Sequence, residues 1–237
     1  MRPLRFSTLA LALALGTVGS ARADLIAVPI DGLVNSNLRS YTSGGNYPIA
    51  PTTLDVGGVP FNLVPLGAVP DSLGIIQTPA GDSLFTIPAG IFGASTVYTL
   101  INSGFGEFGA VNGRLEFVGT GGAFASFDLT QGFNIRDHFD GFFNNIVTDP
   151  TIVTADFGGG VRLDRQTFDL PASFATETLT EIRFIGTGAG IPQGEAFLAA
   201  ATVRTSTKAV PEPSSFALAG VGGLGLVGYV LRRRRRS

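Results

Sequence analysis

Residues 114–129, Arg-Leu-Glu-Phe-Val-Gly-Thr-Gly-Gly-Ala-Phe-Ala-Ser-Phe-Asp-Leu, carry the pattern that decides the fold. Leu115 and Phe117 alternate with charged neighbours, and after a glycine pair apolar residues again alternate with polar ones up to Leu129. A period of two places the apolar side chains on one face of a strand and the polar side chains on the other. The stretch therefore predicts two half-buried strands joined by a glycine-containing turn.

Similar strand patterns extend over the middle of the chain. The alternation recurs around 168–170 and 182–184, and apolar runs give further strand candidates at 25–30, 61–64, 96–101, 151–155 and 195–204. Glycine clusters and the dipeptide Asn112-Gly113 predict turns, whereas residues 172–179 predict one or two helical turns. We therefore predict an all-β fold, an antiparallel β-sandwich of the jelly-roll type.

The first 23 residues predict a secretory signal peptide. Arg2 and Arg5 precede a short apolar run, and Ala21-Arg22-Ala23 supplies the small-residue cleavage pattern of such signals. We expect export through the Sec translocon and cleavage by signal peptidase after Ala23.

Residues 210–237 combine three features in a fixed order. The motif Pro211, Glu212 and Pro213 precedes an uncharged, glycine-rich stretch at 216–231, which predicts a short transmembrane helix. A block of basic residues follows and predicts a stop-transfer signal on the cytoplasmic side of the membrane. This block consists of Arg232, Arg233, Arg234, Arg235 and Arg236.

This three-part order resembles the PEP-CTERM sorting signal of Gram-negative bacteria. The resemblance implies recognition by an exosortase, a protease-like membrane enzyme, followed by removal of the tail. The protein is then expected to be anchored transiently in the inner membrane before it reaches the cell surface or the exterior. The resemblance further implies bacteria that make exopolysaccharide and biofilm. A plain membrane anchor behind a Pro-Glu-Pro linker is the alternative.

The composition and motifs of the region between the two ends exclude several classes of function. Residues 24–204 are the predicted sandwich ectodomain and 205–209 the predicted linker. Residues 24–209 hold 17 acidic and 8 basic side chains, a net charge near −9, which argues against nucleic acid as a partner. The chain has no cysteine, which excludes disulfides and thiolate metal sites. The G-x-G-x-x-G match at 104–109 leads into a further strand and predicts a loop, not a dinucleotide site.

Oxygen ligands gather in one predicted loop, residues 134–149. Asp137, Asp140 and Asp149 make this loop a candidate Ca²⁺ site, because Ca²⁺ takes six to eight oxygen ligands. A solvated acidic loop is the alternative interpretation. The single histidine, His138, lies in the same loop, but no G-x-S-x-G motif accompanies it. We therefore predict no catalytic residue.

The leading functional prediction is a non-enzymatic surface or matrix protein without a cofactor other than the candidate Ca²⁺. Residues 46–61 resemble segments of secreted galactose-binding-like sandwiches, and this resemblance implies a carbohydrate-binding module as an alternative. Because the chain has no tryptophan, the candidate aromatic faces for a glycan are Tyr41, Tyr47 and Tyr98. A secreted hydrolase that uses paired carboxylates is the third hypothesis.

Overall fold

The structure is a computed structural model, and it describes residues 23–42, 46–79, 81–140, 146–187 and 194–206. These residues belong to one folded unit that extends from Ala23 to Ser206. The predicted signal peptide up to Arg22, the linker after Ser206 and the entire sorting signal lie outside the described residues. Among the residues described, no helix is long and apolar enough to cross a membrane.

The described residues contain thirteen strands and two short 3₁₀ helices. The strands are β1 Leu25–Val28, β2 Ser36–Asn37, β3 Thr52–Asp55, β4 Pro60–Leu63, β5 Gly74–Gln77, β6 Ser83–Phe92, β7 Ala94–Gly104, β8 Val111–Gly119, β9 Phe124–Thr130, β10 Val153–Asp156, β11 Arg162–Asp169, β12 Thr178–Gly186 and β13 Glu195–Thr205. The 3₁₀ helices span Leu38–Thr42 and Ala172–Thr176, and the second confirms the predicted helical turn.

The named strands pair antiparallel and form two large sheets and a ribbon. The seven-stranded sheet has the order β10-β11-β7-β13-β5-β2, with β1 also paired to β13, and the four-stranded sheet has the order β6-β12-β8-β9. Strands β3 and β4 form the separate ribbon. The prediction of an antiparallel all-β protein is confirmed, and the finer assignment to a jelly roll stays a prediction.

The first hydrophobic core lies between the two large sheets. Phe117 of β8 and Phe184 of β12 pack there with Val97 of β7 and Leu198 of β13. The opposite face of the four-stranded sheet carries charged side chains, as the alternation in residues 114–129 predicts. Burial of one face therefore fixes the register of these strands, since a shift by one residue would expose the core side chains.

A second hydrophobic core lies on the other side of the seven-stranded sheet, which the sequence did not predict. Tyr98 and Phe197 pack there with Phe61 and Leu63 of the ribbon strand β4. Strands β7 and β13 are consequently buried on both faces, and their sequences are almost continuously apolar or small. A bulge in β13 shifts its register against β7 between Leu198 and Ala200.

The structure differs from the sequence-based prediction at two local points: one predicted turn is a strand, and one strand was not predicted. Asn112-Gly113 is not a hairpin turn but lies inside β8, where a side chain at Gly113 would come within 2.7 Å of Ile185 O on β12. Glycine is needed there for the close approach of two strands. The sequence also gave no signal for β6, which contains Pro88 and Gly90. A proline is tolerated in β6 because β6 is an edge strand of its sheet.

We expect residues 24–209, expressed without the two ends, to fold as a soluble and largely β protein. The two hydrophobic cores that the described residues form lie within this part of the chain, so the shortened protein keeps both of them. Far-ultraviolet circular dichroism checks this expectation, and a spectrum dominated by helix would contradict it.

Candidate functional site

A segment between β9 and β10, residues 134–140, places two titratable side chains at one end of the seven-stranded sheet. Asp137 forms a parallel bridge with Ser103 at the end of β7, and Phe139 forms an antiparallel bridge with Val161 beside β11. The amide of His138 donates to Ser103 O at 2.9 Å. The segment is thus held like a short additional strand, and it brings Asp137 and His138 to the sheet end.

A buried ion pair connects this segment to β11. Arg136 Nε lies 2.6 Å from Asp164 Oδ2 of β11, and its Nη2 lies 2.9 Å from Asp164 Oδ1. Asn102 Nδ2 donates to Asp164 Oδ2 at 2.9 Å, and Thr154 Oγ1 donates to Oδ1 at 2.7 Å. The side chain of Asp164 has no exposed surface, so all of its charge is balanced within the protein.

An open pocket of about 480 Å³ lies next to this segment, where β5 and β7 end and β13 begins. Its walls come from five separate stretches of the chain. The lining residues are Leu38, Tyr41, Ile75, Gln77, Gly104, Phe105, Asp137, His138, Phe139, Glu195 and Phe197. Most of these side chains are apolar or aromatic, with a small number of polar groups among them, as is typical of small-molecule sites.

A hydrogen bond engages one ring nitrogen of His138. Tyr47 Oη lies 2.6 Å from His138 Nδ1, whereas the backbone oxygens of His138 and Arg162 lie 3.4 Å from the same hydroxyl. The shorter contact favours the tautomer in which the Tyr47 hydroxyl donates to Nδ1 and the neutral imidazole carries its proton on Nε2. Nε2 makes no hydrogen bond within the described part of the chain.

His138 is uncharged at neutral pH. The side chain is 8% exposed and packs against the ring of Phe197 at a centroid distance of 5.4 Å. Burial, and secondarily the positive charge of Arg162, lowers the pKa of His138 to about 4. The pocket therefore presents a neutral N–H donor at this position.

The single histidine is expected to make the stability of the fold depend on pH. The pKa of His138 falls from 6.5 to about 4 on folding, so the unfolded chain binds more protons between these two pH values. The stabilisation is complete above pH 6.5 and is lost as the pH falls towards 4, by at most about 3 kcal/mol. We expect His138→Gln to lose less stability than the natural protein between pH 7 and pH 4.5 in chemical unfolding. Equal losses in the two proteins would contradict this assignment.

Asp137 holds the neighbouring loop in an unusual backbone conformation. Its Oδ2 accepts the amide of Phe105 at 2.8 Å, and its Oδ1 accepts the amide of Phe139 at 2.7 Å. Phe105 has a φ of 63°, a left-handed conformation that is uncommon for a residue with a bulky side chain. Burial raises the pKa of the Asp137 carboxyl, although these two hydrogen bonds oppose the shift. The carboxylate therefore has a defined structural role at the pocket wall.

The structure does not bring the three predicted calcium ligands together around one point. Asp137 is engaged as described, Asp140 Oδ1 lies 4.0 Å from Arg162 Nη1, and Asp149 Oδ1 accepts the amide of Thr151 at 2.8 Å. Within the described ranges, no group of three or more His, Cys, Asp or Glu side chains is arranged to hold a metal ion. Residues 141–145 of the same loop lie outside the described residues, and the Ca²⁺ site stays a prediction.

Of the three tyrosines predicted as glycan-binding faces, Tyr41 alone is exposed, at 53%. Tyr47 and Tyr98 are 1% and 5% exposed, because both belong to the second hydrophobic core. Several phenylalanines also have about half or more of their surface exposed. These are Phe92, Phe108, Phe124 and, at 49%, Phe133.

Sequence reasoning missed the polar rim of the pocket. Tyr41 Oη donates to Gln77 Oε1 at 2.6 Å, and Gln77 Nε2 donates to Glu195 Oε2 at 2.8 Å. These three residues are far apart in the sequence, and no local spacing pattern connects them. The strand pairing of β13 with β5 places Gln77 beside this end of β13, and that pairing is a property of the tertiary fold.

The described residues thus define an antiparallel β domain with an apolar pocket at one sheet end. The C-terminal segment of the chain contains a match to a known sorting motif. Residues 209–236 match the family described as the PEP-CTERM protein-sorting motif. The match confirms the resemblance found in the sequence and indicates an exported protein that is sorted by an exosortase to the cell surface or the exterior. No curated protein matches the chain.

Proposed function

We propose that the chain is a non-enzymatic protein of the cell surface or the extracellular matrix that associates with exopolysaccharide in a biofilm. The observation that carries this proposal is the sorting motif at 209–236, since it assigns an exported destination to the β domain that precedes it. The net charge near −9 of residues 24–209 also suits a protein that stays soluble outside the cell.

The contacts at the pocket support a binding role and not catalysis. Both oxygens of Asp137 accept backbone amides, so this carboxylate is committed to holding the loop. His138 Nδ1 contacts a tyrosine hydroxyl and not the carboxylate that orients the imidazole in a catalytic triad. These arrangements favour a non-enzymatic domain over the alternative of a carboxylate-based hydrolase.

The route to the surface is part of the same proposal. We infer that the Sec translocon and signal peptidase act at the N-terminal signal, with cleavage after Ala23. The segment 216–231 then anchors the protein transiently in the inner membrane, and Arg232–Arg236 remain on the cytoplasmic side until the exosortase removes the tail. Strand β1 begins at Leu25, two residues after the proposed cleavage site, so the cut leaves the fold intact.

Incubation with the exopolysaccharide of the producing strain tests this proposal. We expect the protein to cosediment with the polysaccharide and to release no new reducing ends over hours at neutral pH. Failure to cosediment would contradict the matrix association, and the appearance of reducing ends would replace it with the hydrolase alternative.

A carbohydrate-binding module is the second candidate function, and the exposed ring of Tyr41 favours it. The hydroxyl of Tyr41 donates to Gln77 and lies 3.2 Å from Ser36 Oγ, so the ring is fixed in orientation without being buried. An aromatic ring held in this manner can stack on the apolar face of a sugar. Glycan-array binding that is lost in Tyr41→Ala would support this function. The equally exposed Phe92 on β6 offers a control, Phe92→Ala, which should retain binding.

A further inference from the structure

We propose that the pocket at the end of the seven-stranded sheet binds an uncharged molecule that has an apolar ring as its body and carries one hydrogen-bond acceptor. This inference goes beyond sorting and export, because it concerns the β domain itself and its test requires neither process. The pocket volume of about 480 Å³ lies within the range of small-molecule sites.

The apolar body of the ligand follows from the composition of the walls. Two kinds of apolar residue line the cavity, aliphatic and aromatic. The aliphatic side chains are Leu38 and Ile75, and the rings are those of Tyr41, Phe105, Phe139 and Phe197. A flat ring can stack on such surfaces and exclude water from both sides, which is the main source of affinity in a site of this kind.

The hydrogen-bond acceptor of the ligand follows from His138. Its Nδ1 is engaged by Tyr47, whereas its Nε2 has no hydrogen bond in the described residues and is not one of their fully buried unpartnered atoms, so it is open to solvent. Because His138 lines the pocket, a ligand carbonyl or hydroxyl oxygen can replace water at this nitrogen. This contact fixes one orientation for the ring.

The absence of charge on the ligand follows from the groups around the cavity. Among the described residues that line it there is no lysine or arginine, whereas Asp137 and Glu195 are present, so an anion inside the pocket meets two carboxylates. A cation is also disfavoured, because Asp137 is engaged by two amides and Glu195 already accepts from Gln77. The remaining apolar surface cannot solvate a charge.

The pocket is preorganised at two points of its rim. Asp137 holds Phe105 in its left-handed conformation, and backbone strain of this kind is often found at ligand-binding sites. The chain of hydrogen bonds from Tyr41 through Gln77 to Glu195 fixes the opposite side. A preformed cavity loses little conformational entropy when it binds a rigid ring.

Two probes that share the same rings test the proposal. 2-Naphthol is uncharged at neutral pH and carries one hydroxyl oxygen, and 6-hydroxynaphthalene-2-sulfonate adds one sulfonate to the same framework. We use the full chain in phosphatidylcholine nanodiscs and follow fluorescence together with hydrogen exchange of peptides covering 36–42 and 135–140. The neutral probe is expected to bind and to slow exchange in both peptides, and the sulfonate is expected to bind about tenfold more weakly because of its charge.

A variant with a larger side chain in the pocket is compared with the natural protein for binding of the neutral probe. Gly104 lines the pocket, and a Cβ added there meets no atom within 4 Å, so Gly104→Leu is chosen to occupy part of the cavity. We expect it to weaken the neutral probe about tenfold or more, since the ring and the new side chain cannot share one volume. Gly32 is equally open but lies outside the pocket lining, and Gly32→Leu should bind like the natural protein.

A second variant tests the charge of the rim. Glu195→Gln keeps an oxygen for the Gln77 amide but removes the negative charge, so it should tighten the sulfonated probe more than it changes the neutral probe. The proposal is overturned if the neutral probe affects the natural protein and Gly104→Leu equally, or if the sulfonate binds the natural protein more tightly than the neutral probe. Neither outcome bears on export, which is measured separately by localisation.

Discussion

Asp164→Asn is expected to lower the free energy of unfolding by about 3–5 kcal/mol, because it removes one partner of a buried ion pair and leaves the other charge uncompensated. Asp164 is fully buried, and the Arg136 side chain that it binds is 14% exposed. The asparagine has the same shape, so packing is kept and the change reports on charge. Denaturant unfolding of the exported protein measures the loss.

The control for this substitution is an ion pair of the same kind on the surface of the protein. Arg114 Nε lies 2.7 Å from Asp128 Oδ1, almost the same distance as in the buried pair, but both side chains are more than 40% exposed. Water and salt screen such a pair, so Asp128→Asn should leave the melting temperature nearly unchanged. Similar losses in the two variants would show that burial of Asp164 does not determine its importance.

Replacing Pro211, Glu212 and Pro213 by alanine is expected to stop release of the protein and leave the full-length chain in the inner membrane. Prolines lack amide hydrogens and disfavour helix, so we expect the natural motif to be extended and accessible beside the proposed transmembrane segment. Fractionation of cells that contain the exosortase, followed by immunoblotting, measures the effect as a loss of nearly all surface-released protein.

The adjacent serines supply a control for this substitution. Changing Ser214 and Ser215 to alanine alters the same region of the tail but leaves the three motif residues in place. This variant should be released like the natural protein. Normal release of the triple-alanine variant would show that the motif is not read, and a plain membrane anchor would then account for the tail.

Much of the fold was predictable because several strands have one buried apolar face and one polar face. In β8, β9 and β12, burial follows the alternation that is visible in the sequence, for example at Leu115 and Phe117. Strands β7 and β13 were found as apolar runs, but their burial on both faces was not predicted. A continuous apolar run does not tell how many layers cover a strand, and the ribbon of β3 and β4 has no pattern that predicts its position.

The candidate site was less predictable than the fold. The sequence singled out Asp137 and His138, and the structure places both at the pocket, but as a structural anchor and a neutral donor and not among grouped calcium ligands. Phe105, Gln77 and Glu195 carried no signal, because their roles arise from strand pairing and from a left-handed backbone at one residue. Such roles depend on contacts distant in the sequence, which periodicity does not report.

The intact mass of the protein released at the cell surface tests the central claim, that an exosortase processes the exported β domain at its C-terminal tail. In a host with the exosortase, we expect a chain that begins at Asp24 and lacks Arg232–Arg236. In a host without it, the membrane-bound chain should keep all five arginines. A surface-released protein whose mass still includes Arg232–Arg236 would contradict the account.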